Sequence, residues 1–270
     1  MKPAVQIMGI LNVTPDSFSD GGRYTSLDAA LFQADSMVKG GAHILDIGGE
    51  STRPGADEVS SEVEISRVQP VLEAIRARFG VLLSIDTQKA AVAREALAAG
   101  ATILNDVSAG EDPRMAEVAA RARATVILMH RQGDSRTMQA NPSYPSGVVS
   151  EVKLFLLERS ANFVRAGVPA ERIWIDPGIG FGKNLHHNLT LMKSLSEFKG
   201  VGERLVVGTS RKSFLARLLG DPGLGMEERE AGSLASNLWA YTQGVDVFRV
   251  HDVAAFSRAL KTWEAIRDSE

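Results

Sequence analysis

The chain predicts a single (β/α)8 barrel of the TIM type, and two patterns carry that expectation. Short apolar runs rich in Val, Ile and Leu alternate along the whole chain with segments that place apolar residues at helical spacing. There are eight such units in 270 residues, about 34 residues each, the size of one β–α–β repeat. Near-continuous apolar strands need cover on both faces, which implies a parallel sheet wrapped by helices. An open doubly wound sheet commonly uses about five or six units, whereas eight in unbroken series favour closure.

Each unit has its own signature. The first strand is VQIMGILNV (5–13), followed by the helical segment LDAALFQADSMVKGGA, which closes on Gly. HILDI (43–47) precedes EVEISRVQPVLEAIRARFG, again a helix closed by Gly. VLLSI (81–85), TILN (102–105) and TVILMH (125–130) are the third to fifth strands. IWI (173–175), RLVVG (204–208) and VFRV (247–250) complete the series. No linker or composition shift divides the chain, so one domain is expected over 1–270, with looser stretches at 131–147 and 220–225. Two long polar loops, NVTPDSFSDGG (12–22) and GGESTRPGA (48–56), exceed what a turn needs and are expected over the C-terminal mouth of the barrel.

Composition excludes several classes of function. With 30 Lys and Arg against 33 Asp and Glu the net charge is -3, which offers no basic field to nucleic acid. The chain has no cysteine, so disulfides, thiolate metal sites and a cysteine nucleophile are absent. The apolar stretch 4–13 is interrupted by Gln6, Gly9 and Asn12, too short for a membrane span or a signal peptide. A soluble, cytoplasmic protein is expected.

Barrel enzymes place their chemistry at the strand C-termini. Those positions hold Asn12, the stretch 48–53, Asp86, Asn105-Asp106, His130, Asp176, the stretch 208–213, and Arg249 with His251. Bland readings compete at each. Asp86 alone suits a helix N-cap, Asn105-Asp106 a turn, Asp46 a buried structural carboxylate and His130 a satisfied core histidine. His186-His187 suit a helix start, and the Trp and Met positions at helical spacing, Trp239 and Trp263 included, suit core. Three segments go further. GTSRKS (208–213) opens a helix with Arg211, Lys212 and hydroxyls around free N–H groups, an anion site. RVHD (249–252) puts Arg249 and His251 on one side of the last strand, able to grip one polyanionic group. Asp86, Asn105 and Asp176 add acceptors from three strands, suited to a flat heterocycle rich in N–H donors.

At these residues the chain resembles the dihydropteroate synthases of the pterin-binding barrel family. The motifs MGILNVTPDSFSDGG, GAHILDIGGESTRPGA, SIDT, NDVSAG, LMHRQG, IDPGIGFGK, VGTSRKSF and RVHDV carry the resemblance, which runs over about residues 5–267. It implies condensation of 6-hydroxymethyl-7,8-dihydropterin diphosphate with 4-aminobenzoate, a transferase step of folate synthesis and a sulfonamide target. It further implies that Asp86, Asn105, Asp176 and Lys212 hold the pterin. Asn12, Arg249 and His251 would take the diphosphate, with Asn12 also a ligand of Mg2+. Phe18, Ser19, Asp20, Thr52, Arg53 and Pro54 would close over 4-aminobenzoate. Ser213 would meet its carboxylate and Phe181 its ring, with Asp20 a possible proton acceptor. A homodimer is implied, formed near the helix that carries Asn237 and Trp239. Two alternatives stand beside this reading: a pterin-binding paralogue without catalysis, and a methyltetrahydrofolate-dependent methyltransferase of the same barrel family. The latter needs neither SRKS, nor RVH, nor the STRP loop.

Overall fold

The computed structural model describes residues 5–14, 26–51, 57–134 and 136–269. Its strands are β1 (Gln6–Asn12), β2 (Ile44–Gly48), β3 (Leu82–Asp86), β4 (Ile103–Asp106), β5 (Thr125–Met129), β6 (Ile173–Asp176), β7 (Arg204–Val207) and β8 (Val247–Val250). Every neighbouring pair is parallel, and β8 pairs back onto β1, so the sheet closes as a barrel in sequence order. The helices among the described residues are α1 (Ser26–Gly40), α2 (Ser61–Arg78), α3 (Ala90–Ala99), α4 (Met115–Ala122), α5 (Val148–Arg165), α6 (Leu185–Lys193), α7 (Ser213–Leu218), α8 (Glu230–Thr242) and α9 (Val253–Arg267). The eight expected units are all present.

Strand parity divides the core in two. Residues of one parity, among them Leu11, Leu45, Ile47, Leu83, Ile85, Leu104, Val126, Leu128, Ile175, Val207 and Phe248, pack outward into a continuous cluster with the helices. The other parity fills the barrel. Met8, Ile44, Ile103, Ile127, Trp174, Val206 and Val247 form a separate apolar cluster inside it. Two residues further along the same strands stand Ile10, Asp46, Asn105, Met129, Asp176, Gly208 and Arg249. The barrel therefore has an apolar layer surmounted by one that carries charge.

Several strand ends run one residue further than hydropathy suggests. β2 includes Gly48, β3 Asp86, β4 Asp106 and β6 Asp176. The cause is register: Asn12 pairs with Gly48, Gly48 with Asp86, Asp86 with Asn105, and Met129 with Asp176. These polar residues satisfy their backbone groups in the ladder, so their side chains stand on ordered strand rather than loop.

Two expectations fail. Trp239 and Trp263 are not core; they are 49% and 39% exposed. Both lie on helices of the outer ring, which bury only one stripe against the barrel, and Trp239 spends its ring N–H on the Met192 carbonyl at 3.0 Å. The helix-start reading of His186-His187 holds: Asn184 caps α6 and exchanges hydrogen bonds with His187 as a capping box.

The last helix seals the closure. Phe256 on α9 is 1% exposed and packs against Phe248 of β8, the ring centroids 4.9 Å apart and the planes tilted by 45°. Phe256→Ala is expected to lower the unfolding free energy by about 3–5 kcal/mol in urea denaturation; a loss below about 1 kcal/mol would contradict this packing.

Candidate active site

Arg249 organises the barrel mouth. Its Nε donates to Asp46 Oδ2 at 2.6 Å and its Nη2 to Asp86 Oδ2 at 2.6 Å. Asp46 Oδ2 also accepts from Asn105 Nδ2 at 3.0 Å. β2, β3, β4 and β8 are thus joined by one polar network in the charged layer. The second carboxylate oxygens of Asp46 and Asp86 are buried without a partner among the described residues. Unpaired buried oxygens of this kind are the exception in folded proteins.

The network settles the bland readings. Asp86 is not the cap of α3, whose N-cap is Lys89; it is an ion-pair partner inside the barrel. In the Asn105-Asp106 pair the roles divide. Asp106 shapes the turn by accepting from Ser108 N, Ser108 Oγ and Gly110 N, whereas Asn105 faces the site. Asp46 is fully buried, as a structural carboxylate should be, but it holds two site residues rather than the fold alone.

Across the barrel, Asp176 Oδ1 accepts from Gly178 N at 2.7 Å. The loop that follows carries Ile179, whose carbonyl accepts from Lys212 Nζ, and Phe181, whose ring lies 4.5 Å from that ammonium. This loop is closely seated. Gly178 has φ +70°, and a Cβ there would lie 1.8 Å from the His130 carbonyl oxygen, so only glycine fits. Lys183, 1% exposed, anchors the far end by donating to Phe181 O and meeting His130 Nδ1, both at 2.9 Å. Sequence reasoning passed over Lys183. A lysine at the end of a Gly-rich loop is ordinarily solvated, and its partner His130 lies 53 residues away. His130 is the satisfied core histidine expected of it. Burial, with a smaller contribution from neighbouring Lys183, pushes its pKa down to about 2, so it is neutral.

The 208–213 segment is narrower as an anion site than its composition suggests. Arg211 (φ +59°) turns away to Glu230 at 3.4 Å, and Ser210 Oγ lies 3.0 Å from His251 Nδ1. Lys212 is the N-cap of α7, a helix of only six residues that begins at Ser213. The charge that remains at the mouth is that of Lys212. Of the strand-end residues, then, the structure brings together Asn12, Asp86, Asn105, Asp176, Lys212, Phe181 and Arg249, with His251 beside Ser210 and Ser213 at the rim. Phe18, Ser19, Asp20, Thr52, Arg53 and Pro54 lie outside the described residues.

Electrostatics follow from burial. Asp86 is pushed up to about 7 by desolvation, which the Arg249 charge only partly offsets. Lys212 is pulled down to about 8 by desolvation, opposed by Asp176. Asp176 is raised by burial against the pull of Lys212. Burial alone would lower Arg249, but Asp46 and Asp86 more than offset it and hold its proton more tightly than usual.

One feature bears on a metal. A Cβ on Gly48 would lie 3.5 Å from Asn12 Oδ1 and 3.8 Å from Asp86 Oδ2. Of these two oxygens Asp86 Oδ2 already accepts from Arg249, which leaves Asn12 Oδ1 as the neutral oxygen donor here, and a hard cation held by it would have to take most of its ligands from phosphate and water. Among the described residues no group of three or more His, Cys, Asp or Glu could hold a metal by itself.

A family model described as pterin binding enzyme matches residues 8–251. The dihydropteroate synthase of Haemophilus influenzae is 48% identical over 260 residues, 96% of this chain and 93% of that protein. The structure of Xanthomonas albilineans dihydropteroate synthase with 4-aminobenzoic acid superposes with a TM-score of 0.92 at 43% identity, covering 99% of this chain and 94% of that one. The same enzyme in complex with 7,8-dihydropteroate gives 0.89 at 40% identity, covering 99% and 95%. The chain belongs to the pterin-binding enzyme family, among its dihydropteroate synthases.

The two shifted groups define a pH profile. The Asp86 carboxylate, the form able to accept an N–H, is lost as pH falls through about 7. The Lys212 ammonium is lost as pH rises through about 8. The pH dependence of kcat/KM for the pterin substrate should be a narrow bell between these values. A flat profile from pH 6 to 9 would exclude both assignments.

Proposed function

We propose that the protein is a dihydropteroate synthase, a transferase that condenses 6-hydroxymethyl-7,8-dihydropterin diphosphate with 4-aminobenzoate to 7,8-dihydropteroate and diphosphate. One observation carries the reading: on a chain 48% identical to such an enzyme, the charged barrel layer supplies acceptors from β3, β4 and β6, faced by Arg249 from β8 and Lys212.

Asp86, Asn105 and Asp176 hold the N–H edges of the pterin, and Lys212, beside Asp176, completes the set. Arg249, His251 and Asn12 receive the diphosphate. Magnesium, with Asn12 as its protein ligand, would neutralise charge on that group. As the C–O bond breaks, its electron pair leaves with the diphosphate, and Arg249 and His251 stabilise the departing charge. The pterin methylene cation that remains is delocalised into the ring, beside the carboxylates of Asp86 and Asp176. The arylamine nitrogen then forms the C–N bond with its lone pair. Its proton leaves after bonding, to Asp20 or to water, so no strong base is needed. Phe181 flanks the 4-aminobenzoate ring and Ser213 meets its carboxylate. Phe18, Ser19, Asp20, Thr52, Arg53 and Pro54 complete that side. Sulfonamides, which mimic 4-aminobenzoate, would compete there.

A homodimer fits the apolar groove between α6, α7 and α8, where Leu189, Leu218, Leu219 and Trp239 are exposed. A cytoplasmic location fits a chain without cysteine. None of the described helices is long and apolar enough to cross a membrane.

The deciding experiment is diphosphate release from the pterin substrate with magnesium, with 4-aminobenzoate present or withheld. Release that requires 4-aminobenzoate and yields dihydropteroate establishes the activity. Tight pterin binding without turnover would instead favour the non-catalytic paralogue. Lys212→Ala and Asp176→Asn should each cost at least about tenfold in kcat/KM, about 1.4 kcal/mol; near-wild-type activity in both would sink the pterin assignment. Arg249→Ala should impair use of the diphosphate substrate more than binding of a pterin without phosphates, and equal loss of both would contradict the diphosphate role.

A further inference from the structure

We infer that Asp46 is a positioning residue that sets which way the Asn105 carboxamide faces the substrate, and thereby makes position 105 a specific reader of the pterin edge. The inference rests on Asn105 being a pterin contact. Asp46 is 0% exposed and stands in the inward row of β2, two residues beyond Ile44 of the apolar barrel layer. Its Oδ2 takes two donors, Asn105 Nδ2 at 3.0 Å and Arg249 Nε at 2.6 Å.

A carboxamide has a donor end and an acceptor end of nearly the same shape, so packing alone leaves its orientation open. An ionised carboxylate only accepts. Beside Asp46, one orientation of Asn105 is bonded and the other sets oxygen against oxygen. Nδ2 is thereby committed to Asp46. The carbonyl Oδ1, which has no partner among the described residues, and the second Nδ2 hydrogen are left for a ligand. A ring that offers a donor beside an acceptor matches that pair. The same Oδ2 holds Arg249, so one buried atom orients a ring contact and a diphosphate contact together. The cost is visible in the structure: Asp46 Oδ1 is buried without a partner. A carboxylate kept only for packing would be replaceable by an apolar side chain.

The test uses 6-hydroxymethyl-7,8-dihydropterin, which lacks phosphates and so bypasses Arg249, with calorimetric binding to the full chain. Asp46→Asn allows the amides to face either way and should weaken this ligand about tenfold, on the scale of one hydrogen bond. Asn105→Asp sets two carboxylates together and should weaken it at least as much. The exchange of both, Asp46→Asn with Asn105→Asp, restores one donor facing one acceptor between the two side chains but leaves position 105 without an N–H for the ring, so it should bind more tightly than Asn105→Asp alone while staying weaker than the wild type. Steady-state kinetics should show the losses in KM for the pterin substrate, with KM for 4-aminobenzoate little changed.

An Asp46→Asn variant that binds the phosphate-free pterin as the wild type does would reduce Asp46 to a counter-ion of Arg249 and overturn the inference. So would an exchanged pair that folds yet binds no better than the weaker single variant. A measurement on the wild type needs no variant: before ligand is added, the Asn105 Nδ2 hydrogen bonded to Asp46 should exchange slowly. Exchange at the rate of an exposed amide would overturn the inference. A wild-type chain that binds no pterin would overturn the functional reading as well, whereas unchanged Asp46→Asn binding overturns the Asp46 role alone.

Discussion

The charged layer of the barrel can exist because an apolar layer lies beneath it and an ion network neutralises it from within. Met8, Ile44, Ile103, Ile127, Trp174, Val206 and Val247 close the barrel below the site, so the acids above them face a low-dielectric floor. An isolated carboxylate there would take up a proton. Arg249 supplies the opposing charge to two of them at once. A buried ion cluster of this kind adds little net stability, because desolvation offsets the attraction, yet losing one member costs about 3–5 kcal/mol. Its value is in holding directed polar groups at one level of the barrel mouth.

The second half of the site is built differently. Asp176 is an ordered strand end, but Lys212 depends on the loop 178–182 for the carbonyl and the ring that orient it. That loop depends in turn on contacts with no chemistry of their own: Gly178 against the His130 carbonyl, Lys183 against His130 and Phe181, Gly180 N on Asn188. The β2–β3–β4 side thus rests on sheet register and the Lys212 side on loop packing. Both reach the same mouth because strand parity aims Asp86, Asn105 and Asp176 inward together.

Much of this was legible in the chain. The eight repeats set the fold, and a count by twos from the apolar residues of each strand picks out Asn12, Asp86, Asn105, Asp176, Arg249 and His251 as inward strand ends. The same count would have promoted Asp46 from a structural carboxylate to a member of the site, since it stands two residues beyond Ile44. The remainder was not local information. Arg249 is turned toward Asp46 and Asp86 by partners 203 and 163 residues away, which no window of sequence contains. Trp239 and Trp263 looked like core because spacing reports a helical face without saying how far the helix is rotated into the barrel. Arg211 looked like an anion ligand until Glu230 on α8 claimed it.

Closure of β8 onto β1 also governs when the molecule becomes competent during folding. Arg249 enters the network only once the last strand has paired with the first, a contact between opposite ends of the described chain. Long-range pairing of this sort carries the largest loop-closure entropy and forms late. Any earlier species, even one with β1 to β7 in place, holds Asp46 and Asp86 without their cation and cannot present the finished mouth. Ligand capture is therefore a property of the fully closed chain, and the pterin, bound only by that state, would act as a latch on the final step of folding.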